Sequence, residues 1–191
     1  EIGDGAEIGV ISSSFNIATV TAGDDVTFHG GINTIASRDA TVTVGDNATF
    51  TGSVAMQGDS SSQTFVTGAN AYVNGQIEMS SSNSTYTIDL GPDSNVWGNI
   101  NMGGSNIDAF VTLGQGTTIG SSGSGMIGVG GSSNQFCFKF EDDVTINGGI
   151  AIGGSLNRQF IQAGNNLTIN GDVAMGGASN TNSIHIGDNF C

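Results

Sequence analysis

The chain has 191 residues, including 32 glycines and one proline, with 17 acidic residues against three basic ones and a formal net charge of -14. That length suits one domain with a real core, while glycine without proline and without a three-residue period excludes collagen. Arg38, Lys139 and Arg158 are too scattered to neutralise phosphates together, which argues against nucleic acid and anionic membranes as partners, and no apolar run approaches the roughly 20 residues of a membrane span.

The first phrase, EIGDG at Glu1 to Gly5, reads as the last strand of a coil, because it matches HIGDN at His185 to Asn189 with Ile2 aligned on Ile186. From there the chain divides into segments starting at Gly3, Gly23, Gly45, Gly68, Gly91, Gly114, Glu141 and Gly164, with a partial segment from Gly187 to Cys191. Most segments are 23 residues long, and the segment at Gly114 is longer by four, an excess that falls in a loop near 120–126. Self-similarity at a fixed period is the mark of a repeat architecture.

Within the segments, apolar residues keep fixed places. One column holds Phe28, Phe50, Val73, Val96, Ile119, Ile146 and Ile169; others hold Ile77, Ile100, Ile127 and Ile150, then Met79, Met102, Val129 and Ile152. Near the end of each segment Phe65, Ile88, Val111, Phe138, Ile161 and Ile184 fill a further column. Apolar residues two apart, with polar ones between, predict half-buried strands. Three short strands are expected per segment, at about positions 4–7, 9–12 and 20–23. They are separated by a Gly-Asp-Asn turn, an Asn-Gly corner and a longer loop with Asn134, Asn157 and Asn180 at 23-residue spacing, candidates for an amide ladder along the axis.

The fold class predicted is all-β: one parallel β-solenoid over residues 1–191, with about 23 residues and three strands per coil, about eight coils and no caps. The phrases VTINGG from Val144, LTINGD from Leu167 and YVNGQI from Tyr72 make the chain similar to the parallel β-solenoids of bacterial surface adhesins and, more loosely, to bactofilin-like polymers. The resemblance implies a solenoid and polymerisation, and no active site.

No enzyme is expected. His29 and His185 fall on different faces, the three bases share no column, and no acid–base set converges on one point. The acidic first corner, with Asp24, Asp25, Asp46, Asp142 and Asp143, is the one place where calcium is conceivable, since that ion takes about six to eight oxygen ligands. Amides such as Asn47, Asn165 and Asn166 interrupt it, so turn formation is the preferred reading and no cofactor is expected. Sequons stand at Asn47, Asn83 and Asn166. The alternative is a monomeric binding module, either an adhesin fragment or an ice-binding solenoid using the outward column of Thr27, Thr49, Thr118, Thr145 and Thr168.

Two sets of contacts are expected. End-to-end assembly would use Ile2, Ile8, Ile186, Phe190 and Cys191, one copy continuing another head to tail without closing. Cys137 lies too far from Cys191 to pair with it inside one chain. Lateral contact, with another rod or a surface ligand, would use outward Phe110, Phe136, Cys137 and Phe160 on one face and Tyr72 and Trp97 on another. The expected function is that of a non-enzymatic filament outside the cell or on its surface.

Overall fold

A computed structural model describes residues 1–13, 17–35, 39–121 and 124–187. Arg38, Asp188, Phe190 and Cys191 lie outside them. Among the described residues each coil contributes one strand to each of three parallel sheets, and each sheet has eight strands in coil order, spanning about seven turns. The corner sheet is built of two-residue strands such as Thr49–Phe50, the middle sheet of strands such as Val54–Gln57, and the long sheet of strands such as Ser62–Thr67 and Ser84–Leu90.

Register follows the repeat. Ile146 pairs with Ile169, Ile150 with Val173 and Ile152 with Met175. The extra residues of the longer coil loop out: Ile119 pairs with Ile146 before them, and Ile127 with Ile150 after them. Because each strand lies on its own counterpart, like stacks on like along the axis. Phe28 lies flat on Phe50 with ring centres 4.6 Å apart and planes 1° from parallel, and Phe50 meets Phe65 edge-on at 5.7 Å. Met56, Met79 and Met102 stack in the middle sheet, none more than 2% exposed. These columns fuse into one core along the rod.

The third strand is longer than the sequence pattern suggests, beginning at 62 rather than 64 in its coil. Polar residues there alternate in and out like any strand, so they look like loop in sequence while still joining the ladder. The consequence is an inward column of Gln63, Tyr86, Ala109, Phe136 and Gln159 behind the apolar ones. Phe136 is therefore a core residue at 1% exposure, in phase with Phe138 and Phe140, and not part of an outer strip.

The corners explain the glycine, Asp and Asn content. Residues 25, 47, 70, 93, 143 and 166 hold φ between 55° and 61°, where Asn and Asp are tolerated best. In that conformation their N–H groups donate along the axis, Asn47 N to Ala69 O and Asp143 N to Asn165 O among them. In the third loop Gly154 has φ +104°, and a Cβ there would run into the Gly131 carbonyl of the preceding coil. No helix of the described residues is long and apolar enough to cross a membrane.

Candidate functional site

Three places were singled out by sequence: the acidic corner, the outward faces and the ends. In the corner the carboxylates serve the next coil. Asp24 Oδ1 accepts from Asp46 N at 2.8 Å, Asp46 Oδ1 from Ala69 N at 2.8 Å, and Asp142 Oδ1 from Asn165 N at 2.7 Å. Asp25 and Asp143 accept the amides of Asn47 and Asn166 at 2.9 and 2.8 Å. Asp143 also accepts from Gln115 at 3.2 Å, and the two amides, Asn166 foremost, hold its carboxyl below the ordinary aspartate range. Among the described residues no three Asp, Glu, His or Cys side chains gather as a ligand set. The amides between the acids thus act as partners for them.

The long loop carries the amide column foreseen from sequence, with different bonding. The side chains do not bond one another. Asn134 and Asn157, at 3% and 1% exposure, reach the backbone of the neighbouring coils. Asn157 Oδ1 accepts from Asn134 N at 3.0 Å, while its Nδ2 donates to Gly131 O at 3.3 Å and Gly153 O at 2.9 Å.

The outer face of the long sheet divides along its length. In its first half Thr19, Thr41, Thr64 and Thr87 stand on successive rungs of one column, with Thr21 and Thr43 beside the first two. This ladder was not found from sequence, although TVT at 19–21 and 41–43 is its signal. The threonine column that was noticed, Thr27, Thr49, Thr118, Thr145 and Thr168, lies on the corner sheet, where Tyr72 and Asn95 occupy the middle rungs. In the second half of the long sheet the same column continues as Phe110, Cys137 and Phe160. Phe110 is 43% exposed and Phe160 40%, and they border a shallow depression of about 480 Å³ with Gln135, Arg158, Thr181 and Ser183. Tyr72 and Trp97 lie elsewhere, edge to face at 6.0 Å on the corner sheet.

At the ends, Ile2 makes a parallel bridge to Ala22, which puts it in the column that runs through Val44, Leu90, Leu113 and Phe140 to Ile186. Ile2 and Ile8 are partly buried against the core. The last described coil is more open: Val173 is 43% exposed, and Ile184 and Ile186 are each 48%, against 2% for Ile161 and Ala163 one rung before. Of the two histidines, His29 lies 3.4 Å from Glu7 beside the corner sheet, while His185 projects from the long sheet. No family model matches the sequence, and no curated protein or solved structure matches it either. What the structure supports is the parallel β-solenoid architecture.

Proposed function

We propose that the chain is a non-enzymatic structural protein outside the cell, which assembles end to end by stacking the first coil of one copy on the last coil of another. The observation that carries this reading is the common phase of the first and last described coils, Ile2 standing in the same column as Ile186 with parallel pairing in register between them. A second copy seated in register on the last described coil would extend all three sheets by parallel pairing and bury the exposed isoleucines. Such a contact is head to tail and does not close, so it produces a filament. The acidic, hydroxyl-rich surface suits an exterior location. Negative-stain electron microscopy of the wild-type chain and of Ile186→Asp tests it. Uniform filaments in the first and dispersed, folded rods in the second are expected; filaments in both would overturn the axial joint.

The threonine ladder favours a second reading, a binding face for ice. Its rungs are spaced at about 4.8 Å and its two ranks at about 6.6 Å, as parallel strands dictate, and such a regular hydroxyl array suits an ordered water lattice. Inhibition of ice recrystallisation by dispersed chains, lost in Thr41→Lys, would favour it over the filament.

A further inference from the structure

We propose that the second half of the long sheet's outer face is a docking surface for a second copy of this chain, laid antiparallel and face to face. The proposal does not depend on end-to-end assembly. Three rungs form an array: Asp108, Phe110 and Thr112; then Gln135, Cys137 and Lys139; then Arg158, Phe160 and Gln162. A half-turn about an axis along the middle strand exchanges the outer rungs. It sets Phe110 against Phe160 of the second copy and Asp108 against Arg158 of the second copy, and each of these contacts occurs twice. The next rungs out bring Thr87 opposite Ser183 and Asp89 opposite His185.

Charge decides both the occupant and its direction. The chain has three bases against 17 acids, so two copies repel over most of their surface. The two described bases, Lys139 and Arg158, both project from this half of the long sheet. Only the antiparallel arrangement opposes Arg158 to an acid; a parallel one would place it over Gln162 and leave Asp108 over Thr112. Lys139 meets its own counterpart near the axis, and Glu141 of the same chain, 3.3 Å from its Nζ, offsets that charge. The exposed rings of Phe110 and Phe160 are the apolar centre that such an interface needs, with the ion pairs at its rim. Five rungs at about 4.8 Å and six residues at about 3.3 Å give roughly 500 Å² per copy, near the lower bound for specific association. A reversible dimer is the outcome that size supports.

The test is sedimentation velocity on the full chain carrying Ile186→Asp, which separates side-to-side pairing from axial growth. A concentration-dependent dimer is expected. Arg158→Asp or Asp108→Arg alone should weaken it by about tenfold or more, because two ion pairs become two repulsions at once. The double variant Asp108→Arg with Arg158→Asp should restore it. In a Cys191→Ser background a short bismaleimide should link the dimer through Cys137, which lies on the axis. A chain that stays monomeric at the highest soluble concentration would overturn the proposal. So would a dimer indifferent to either charge reversal, or a folded double variant that does not recover.

Discussion

Gln63 and Gln159 occupy the same inward column of the long sheet, and both are almost wholly buried, at 0% and 2% exposure. Gln63 donates its amide to Ser61 Oγ and Ser81 Oγ, each at 3.2 Å. Neither amide atom of Gln159 has a partner. The difference lies in the loop that faces them. Where the earlier coil has Ser61 and Ser81, the later one has Asn157 and Gly177, which offer no free hydroxyl. The same loop is thus closed by two chemistries. In the first half, hydroxyls knit it together: Ser61 N donates to Ser84 Oγ at 3.1 Å, and Ser81 Oγ lies 2.8 Å from the Tyr86 hydroxyl. In the second half, glycines bring the backbones close and asparagines bond them. Each solution satisfies the loop's backbone, but the second leaves no donor or acceptor for an inward glutamine.

The asparagine version breaks most severely. Asn157→Ala should cost about 2–4 kcal/mol, since a buried N–H at Asn134 and the carbonyls of Gly131 and Gly153 lose their partner together. Urea unfolding measures the loss. Hydrogen exchange localises it, with the Asn134 amide expected to lose protection before the amides of the first coils. Asn157→Ser is the sharper variant, because it keeps an oxygen near the place that Ser84 fills in the hydroxyl version.

The hydroxyl version breaks less, and its break depends on pH. Tyr86 donates to Ser81 O at 2.9 Å or Gly103 O at 3.0 Å, and burial pushes its pKa above the ordinary 10.0, outweighing the opposing Ser81 bonds. The folded state therefore holds its proton longer than the unfolded one. Stability from this source is fully present below pH 10.0 and falls as pH rises through the folded-state value. Tyr86→Phe should lose about 1–2 kcal/mol at neutral pH for the missing hydroxyl bonds, and it should flatten the alkaline limb of the stability curve. Thermal melts at neutral pH and above pH 10 read both effects. An unchanged alkaline limb in the variant would assign that limb to another group.

The sequence pattern carried the solenoid, the coil length and the register, because 23-residue spacing and alternation act on the same residues. It did not carry the length of the third strand. Ser62, Thr85, Asp108, Gln135 and Arg158 have the composition of a loop, and only stacking on the adjacent coil turns them into strand. Starting the strand too late put Phe136 on the outside, although its alternation with Phe138 and Phe140 marks it as inward. It also hid the inward Gln63 and Gln159. The threonine ladder escaped for another reason: Thr41, Thr64 and Thr87 stand 23 residues apart and Thr19 22 before Thr41, but this outward column was followed only where Phe110 and Phe160 occupy it. The bonding of Asn134 and Asn157 to backbone was illegible because spacing shows that amides stack and says nothing of which atoms they reach.

One substitution separates the two halves most cleanly, because it should stabilise one of them and not the other. Gln159→Met removes two buried polar atoms that have no partner and keeps the volume, stacked between Phe136 and the next coil. It should stabilise by about 1–2 kcal/mol, since replacing an unsatisfied polar group by an apolar one of similar shape recovers its desolvation cost. The same change at Gln63 should fail to stabilise. Its carbonyl oxygen also lacks a partner, but its amide serves Ser61 and Ser81, and losing it takes one bond from each of these buried hydroxyls, leaving them Gly58 O and the Tyr86 hydroxyl. Parallel urea titrations of the two variants compare them directly. Stabilisation at both positions would mean that the Gln63 bonds contribute nothing net, and that the hydroxyl version of the loop is held by Tyr86 and Ser84 alone.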